Sequence, residues 1–280
     1  MTTHFPRFGL SLGIAMLAIT TPLLAEGPGG FTDGMQASDG VLYSVNQITG
    51  ELITIDPNSA AISVVGSTGF NLVEGLTYHT PTDSLLAVDN ESDQLIAIDR
   101  QTGAGTAIGS IGRDFVFGLT YSEHNDTLYA YDNLANELLT LDPTSGTVEG
   151  GAPLFIDFVG GLTDQPETGV IFGVDFGNSQ VFLIDLEGGL AGPIVDVGLT
   201  SLQSVAFDST TGDLFAIDLQ VGSDALLRID PLSDTVNTVG FLESVSLASL
   251  EFVPTAVPEP SASILLFTAV AFLSTRLSRL

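Results

Sequence analysis

The 280-residue chain contains no cysteine, no tryptophan and no lysine. Without cysteine, neither a disulfide framework nor a thiolate metal site can form. Without lysine, six arginines face 34 acidic residues, and the formal net charge is −28. Nucleic-acid binding needs clustered basic side chains, so nucleic acid is not an expected partner. The lack of tryptophan argues against a strong platform for sugar stacking, although five tyrosines could replace it in part.

Several chemical motifs are also missing. No GxSxG sequence occurs, so there is no nucleophile elbow. The stretch "GAGTAIG" at 103–109 has the wrong glycine spacing for dinucleotide binding and is interpreted as a turn into a strand. No segment shows sustained helical periodicity, whereas 31 glycines and 13 prolines favour many short strands and turns.

The first 25 residues have the layout of a secretory signal peptide. A weakly basic start with His4 and Arg7 precedes the apolar run "FGLSLGIAMLAITTPLLA", which ends at Ala25 before Glu26. An uncleaved membrane anchor is the alternative, although the run is near the lower length limit for a span. Residues 26–40 form a Gly-rich lead-in to the rest of the chain.

The C-terminal residues have the layout of a second targeting signal. A linker at 254–260 ends in Val257, Pro258, Glu259 and Pro260, and residues 261–280 hold a short apolar segment followed by Arg276 and Arg279. This arrangement resembles the PEP-CTERM sorting signal of Gram-negative bacteria. The resemblance implies an exosortase as partner, export across the inner membrane, transient membrane contact and association with exopolysaccharide. A plain membrane tail is the alternative.

The middle of the chain, 41–253, is a fivefold repeat. One strand pattern recurs every 43 residues as "LYSVN" at 42, "LLAVD" at 85, "LYAYD" at 128, "IFGVD" at 171 and "LFAID" at 214. Each is preceded by a short strand such as "GLTY" at 75 and followed by one such as "ELITID" at 51 and by a looser fourth. Four strands in a repeat of this length predict a propeller blade.

The ends of the repeat region predict how the ring closes. The first repeat lacks an inner strand, and "SLEF" at 249 is an inner strand with no blade after it. The sequence therefore predicts an all-β, five-bladed β-propeller whose C-terminal strand completes the first blade, leaving no free sheet edge at the seam. The repeat text resembles extracytoplasmic propellers of the NHL and YVTN kind, a likeness that is informative for fold and not for function.

Two sets of aspartates recur with the repeat. The first set is Asp89, Asp132, Asp175 and Asp218, and the second is Asp56, Asp99, Asp142, Asp185 and Asp230. Each ends a strand, where a short carboxylate stabilises a turn by accepting backbone N–H groups, so we interpret both sets as structural. A ring of carboxylates holding Ca²⁺ is the alternative, and no other cofactor is expected.

No catalytic residue stands out. His79 and His124 follow equivalent strands but are not equivalent residues, and we interpret them as surface loop residues. The tyrosines are expected to pack between blades. We expect an exported, non-catalytic binding or structural module of the cell envelope or polysaccharide matrix. The alternative is a propeller hydrolase or lyase, which perturbed carboxylates or a histidine at the channel mouth would favour.

Overall fold

The computed structural model describes residues 36–255, apart from 155, 157, 167, 187–189, 197–200, 220–223, 243–244 and 248. The predicted signal peptide, most of the Gly-rich lead-in and the sorting signal with Val257, Pro258, Glu259, Pro260, Arg276 and Arg279 lie outside the described residues.

The described chain forms five antiparallel sheets of four strands, which are the blades of a propeller. Blade 1 contains β1 (Gly40–Asn46), β2 (Glu51–Ile55) and β3 (Ile62–Ser67). Blade 2 contains β4 (Val73–His79), β5 (Ser84–Asp89), β6 (Gln94–Ile98) and β7 (Gly105–Ser110). Blade 3 contains β8 (Val116–Ser122), β9 (Thr127–Asp132), β10 (Glu137–Leu141) and β11 (Val148–Pro153).

The same order continues through the last two blades. Blade 4 contains β12 (Val159–Gln165), β13 (Val170–Asp175), β14 (Gln180–Asp185) and β15 (Leu190–Asp196). Blade 5 contains β16 (Leu202–Phe207), β17 (Leu214–Asp218), β18 (Asp224–Asp230) and β19 (Thr235–Leu242). The last strand, β20 (Glu251–Pro254), pairs with β1. A 3-10 helix, Thr80–Thr82, follows β4. The predicted fold class is confirmed.

Closure of the ring depends on β20, as predicted. This strand pairs antiparallel with β1 from Gly40↔Pro254 to Tyr43↔Glu251, and so becomes the inner strand of blade 1. Upstream, Asn46 bridges to Leu247, and the Gln47 amide donates to the Ser246 carbonyl at 2.9 Å. Both ends of the described chain are thereby joined in one sheet.

Each hydrophobic core cluster lies between two consecutive blades. The largest joins blades 5 and 1 through residues such as Leu42, Phe215 and Phe252, and the other four fill the remaining seams of the ring. Burial of alternate strand residues against the neighbouring sheet is what the period-two pattern predicts. A blade therefore has no complete core of its own.

The strand directions give the ring two faces. The front face carries the turns between the second and third strands and the connections from each outer strand to the next inner strand. The back face carries the other two kinds of turn. Asp39 and Thr255, which hydrogen-bond to each other, also lie on the back face, so the described chain enters and leaves the ring there.

Candidate functional site

The second set of aspartates ends the third strands on the back face. Asp56 Oδ1 accepts the amides of Asn58 and Ser59 at 2.9 Å, and Asp99 does the same with those of Gln101 and Thr102. Equivalent bonds lead from Thr144 to Asp142 and from Leu232 and Ser233 to Asp230, and Asp185 ends β14. The Thr144 and Ser233 hydroxyls also donate to Asp142 and Asp230, and these hydroxyl bonds followed by the amide bonds lower the pKa values of Asp142 and Asp230. The amide bonds lower the pKa of Asp99.

The first set ends the second strands on the front face. Asp132 Oδ1 accepts the amides of Leu134 and Ala135 at 2.9 Å, and Asp175 Oδ1 accepts that of Asn178 at 3.0 Å. Asp89 accepts the amides of Leu72 and Ser92, and Asp218 is buried at the end of β17. In the described part of the ring, no three His, Asp or Glu side chains converge on a point that could hold a metal ion.

The asparagine after two of these aspartates has a role that the sequence analysis missed. Asn90 Nδ2 donates to the Val116 carbonyl at 2.9 Å, and its Oδ1 accepts the Val116 amide at 3.2 Å. Asn133 makes the same pair of bonds with Val159. Each asparagine thus fixes the start of the next inner strand. The recurrent "DN" pair was the available signal.

Four phenylalanines form a continuous patch on the front face, which we call the aromatic mouth: Phe115, Phe117, Phe158 and Phe176. Ring centroids of successive members lie 5.9, 5.3 and 5.7 Å apart. Phe115 is 53% exposed and Phe176 is 36% exposed. The exposed side chains of Ile48, Leu72 and Leu134 lie on the same face. An exposed apolar patch of this kind is a candidate binding surface.

The backbone of the aromatic mouth is strained at Phe115 and is held in place by hydrogen bonds from neighbouring residues. Phe115 has φ of 62°, in the left-handed region that bulky residues avoid. Its carbonyl accepts the Asn133 amide at 3.1 Å. The Tyr131 hydroxyl donates to the carbonyls of Leu154 and Ile156, which precede Phe158. Strain at an exposed aromatic residue points to a function for its ring.

Glu74 lies on the front half of β4, buried and bonded to one partner. The Gln47 side chain donates to its Oε1, whereas its Oε2 has no hydrogen-bond partner. Burial raises the pKa of Glu74 to about 7, and the Gln47 bond opposes the rise. The carboxyl group is therefore partly protonated near neutral pH.

The inner strands are linked by a row of side-chain bonds across the seams. Thr77 Oγ1 accepts the Tyr121 amide, and Thr163 Oγ1 accepts the Phe207 amide, both at 2.9 Å. At the closing seam Glu251 takes the place of threonine, and its Oε1 accepts the Tyr78 amide at 2.9 Å. Burial, and then the carboxylates of Asp164 and Glu123, raise the pKa of Glu251 to about 8.

On the back face, two tyrosines lie near the ends of their inner strands, and each donates a hydrogen bond to an aspartate. The Tyr78 hydroxyl donates to Asp83 at 2.8 Å, beneath the Arg100 guanidinium, and burial raises its pKa to about 12. The Tyr121 hydroxyl likewise donates to Asp126. Tyr43, Tyr129 and Tyr131 lie in the clusters between blades, as expected.

The interpretation of His79 as a surface loop residue is wrong. It is the last residue of β4, is 6% exposed, and packs edge-on against the Tyr121 ring at 4.7 Å. Its Nδ1 lies 2.6 Å from Thr82 Oγ1, and burial lowers its pKa. His79 is buried because it lies where two adjacent inner strands meet. The sequence around a single strand does not show that contact. His124 is exposed in a turn, as expected.

Asp164 is a further buried carboxylate on an inner strand. It is 8% exposed, its Oδ2 accepts the Glu123 amide at 3.3 Å, and the Ser122 hydroxyl also hydrogen-bonds to its carboxylate. Burial raises the pKa of Asp164 to about 6. None of Asp164, Glu74 and Glu251 belongs to a set of carboxylates that recurs from blade to blade, so the repeat pattern gave no reason to select them.

The comparisons with known proteins support the fold. No family model and no curated protein matches the sequence. A chain in the crystal structure of a nidogen/laminin complex is similar to this chain, with a TM-score of 0.52 and 13% identity. The match covers 77% of this chain and 85% of that one. At this identity, the likeness shows the propeller fold alone.

Proposed function

We propose that the protein is exported, sorted to the cell envelope or surface matrix, and acts there as a non-catalytic binding module through the aromatic mouth. The exposed phenylalanines carry this proposal. Apolar rings held on rigid blades provide a surface that loses little conformational entropy on binding. The similar structure belongs, by its title, to a complex of two proteins, which is in keeping with a binding role.

Exopolysaccharide of the host is the ligand proposed for this surface, since the C-terminal segment resembles a sorting signal associated with it. Phenylalanine rings can stack on the apolar faces of sugar rings.

Co-sedimentation of the full-length chain with exopolysaccharide from its host tests the proposal. We expect saturable binding that Phe115→Ala with Phe176→Ala weakens at least about tenfold, because two exposed rings are removed from the contact. The matched control is Phe241→Ala, since Phe241 is 60% exposed on the outer strand β19 of blade 5 and is not one of the four phenylalanines of the aromatic mouth. No binding, with or without Ca²⁺, contradicts the proposal.

Sorting is tested separately at the C-terminus. Exosortase is the proposed partner of Val257, Pro258, Glu259 and Pro260, with Arg276 and Arg279 kept on the cytoplasmic side. Replacing Pro258, Glu259 and Pro260 by alanine should leave the tail on the protein in cells, which mass spectrometry of the envelope fraction would detect. A tail removed equally well from this variant contradicts the proposed signal.

A hydrolase or lyase is the second candidate function, because Glu251 and Asp164 have the raised pKa values typical of catalytic acids. Product formation from the same polysaccharide between about pH 5 and 8 would show it. Loss of that activity in Glu251→Gln, with polysaccharide binding retained, would place the chemistry at the back end of the channel. The absence of product from wild-type protein would leave the binding role.

A further inference from the structure

Near the front face, some blades are bridged to the next blade by the residue that follows their second strand. Asn90 of blade 2 and Asn133 of blade 3 each bond to the backbone of the next inner strand. Gln47 is the equivalent residue of blade 1, but its side-chain amide donates to the side chain of Glu74 in β4. The bridge between blades 1 and 2 therefore ends on a carboxyl group, whereas the bridges from blades 2 and 3 end on peptide groups.

A second row of bridges between inner strands lies towards the back face. Thr77 of blade 2 and Thr163 of blade 4 each accept a backbone amide of the next inner strand through a hydroxyl, at 2.9 Å. Glu251 is the equivalent residue of blade 1, and its Oε1 accepts the Tyr78 amide at 2.9 Å. Both bridges between blades 1 and 2 thus depend on a carboxyl group, one from each blade. The asparagine and threonine side chains of the other bridges do not ionise.

The surroundings of Glu74 are uncharged. Glu74 is 5% exposed, and its Oε2 makes no hydrogen bond. Among the described residues it is bonded to Gln47 of blade 1 and lies opposite Val88 of β5, and no charged side chain faces it. An ionised Glu74 would therefore be a buried charge without a cation to balance it.

The surroundings of Glu251 are acidic. The titratable groups that face it come from four elements: Tyr43 of β1, Tyr78 of β4, Asp164 of β12 and Glu123 of the turn after β8. The neighbouring strand β16 contains no titratable residue. Arg100 lies over the Tyr78 ring but pairs with Asp83 at 2.7 Å. An ionised Glu251 would therefore add a like charge to those of Asp164 and Glu123.

We propose that the seam between blades 1 and 2 is a pH-sensitive junction, which is closed while Glu74 and Glu251 are protonated and loosens when they ionise. Separation of the two blades gives both carboxylates access to water and relieves the repulsion around Glu251. The strand that carries Glu251, β20, has four residues and is the shortest of the described strands, so few backbone pairs hold it in place.

The pKa values of the two groups define the pH range and the direction of the change. An ordinary glutamate ionises near 4.5, whereas burial raises the pKa of Glu74 to about 7 and that of Glu251 to about 8. Protonation therefore favours the closed seam fully below about pH 4.5, and this preference is lost as the pH rises through the raised values. The seam should open more often as the pH increases from about 6 to 8, with no further change above that.

The test is hydrogen–deuterium exchange of the full-length chain at about pH 6 and about pH 8, with each rate corrected for the intrinsic effect of pH. We expect the amides of β4, including that of Tyr78, to exchange at least about tenfold faster at the higher pH, because each pH unit below the raised pKa changes the closed state about tenfold per group. The amides of β16 are the control, since the Phe207 amide is held by the non-ionising Thr163. Equal acceleration in β4 and β16 would mean a general loosening of the ring and overturns the proposal.

Glu74→Gln with Glu251→Thr removes both ionisable groups, and threonine is the residue at the equivalent position of blades 2, 3 and 4. In this variant the corrected exchange of β4 should no longer depend on pH. Glu149→Gln, a change of an exposed side chain on β11, is the matched control and should exchange as the wild type does. Faster exchange of β4 at pH 8 that persists in the double variant overturns the proposal. If the double variant does not fold, Glu251→Thr alone should show a smaller acceleration than the wild type, and an undiminished one counts against the junction.

Discussion

Glycines at the seams show how single residues fix the distance between blades. Gly103 has φ of 80°, and a Cβ there would lie 2.6 Å from the Gly66 carbonyl oxygen of blade 1. Gly146 stands in the same relation to Gly109 of blade 2. Glycine is needed at these positions both for the left-handed conformation and for the close approach of two backbones.

Gly103→Ala separates these two requirements when compared with Gly112→Ala. Gly112 has φ of 67°, and a Cβ added there would meet nothing within 4 Å, so alanine costs only about 1–2 kcal/mol for the left-handed conformation. Gly103→Ala should cost distinctly more, because the Gly66 backbone must also move. Urea unfolding measures the loss of stability in both variants. Equal losses would show that the close approach of the two backbones adds nothing to the cost of Gly103→Ala.

The strain at Phe115 predicts an unusual order of stability. At ordinary φ, glycine is about 0.5–1 kcal/mol less stable than alanine. At φ of 62° the order should reverse, and Phe115→Gly should be more stable than Phe115→Ala in thermal melts. Both variants should lose ligand binding, because both lack the ring. Alanine as the more stable variant would show that the backbone is not strained.

Stability should fall as the pH rises above about 5. The carboxyl groups of Glu74 and Glu251 ionise near 4.5 when unfolded but near 7 and 8 when folded. Between these values the folded state holds protons that the unfolded state lacks, so the stabilisation is complete below 4.5 and is lost by about pH 8. Asp99, Asp142 and Asp230 have lowered pKa values and act oppositely, below about pH 4.

Urea unfolding of Glu74→Gln with Glu251→Gln tests this pH dependence. Glutamine keeps an oxygen that can accept the Tyr78 amide but cannot ionise, so the fall of the midpoint between pH 5 and 8 should become much smaller, leaving mainly the part that Asp164 contributes up to about pH 6. The wild-type midpoint should fall over the same range. A wild-type midpoint that is constant or rises would contradict the raised pKa values.

At the scale of strands, the blade is a unit that the sequence specifies well. The inner strand, the two central strands and the outer strand all follow from period-two alternation and the 43-residue spacing, and "SLEF" gave the closing strand. What could not be predicted is what crosses a seam, such as the Tyr121 ring on His79 or the Glu251 bond to Tyr78. Those contacts depend on the rotation between neighbouring blades, which no single repeat encodes.

Removing the closing strand tests whether the ring is one cooperative unit. Deletion of 247–253 removes most of the partner of β1 and exposes the largest core cluster, including Leu42 and Phe215. Cooperative unfolding should be abolished in calorimetry, because the seam between blades 5 and 1 then has two free edges. A chain that ends at residue 256 is the control and should melt as the full-length chain does. An unchanged melt after the deletion would disprove the shared first blade.

Considered as a whole, the ring separates two kinds of surface. The aromatic mouth and the exposed Ile48, Leu72 and Leu134 lie on the front face, whereas both ends of the described chain lie on the back face. In that part of the chain no helix is long and apolar enough to cross a bilayer. If the C-terminal segment holds the protein at a membrane, as proposed, we expect the front face to point away from it, because the described chain ends on the back face.

Cysteine labelling can test this orientation, because the natural chain has no cysteine. Ile48 is 74% exposed in a front-face turn and Leu232 is 69% exposed in a back-face turn, so Ile48→Cys and Leu232→Cys form a matched pair. In the membrane-held chain, a bulky maleimide should react faster with Ile48→Cys, because the bilayer shields the back face. After removal of 261–280 the two rates should become similar. Faster reaction of Leu232→Cys in the membrane-held chain would show that the aromatic mouth faces the membrane, and the proposed ligand surface would then have to be a lipid contact.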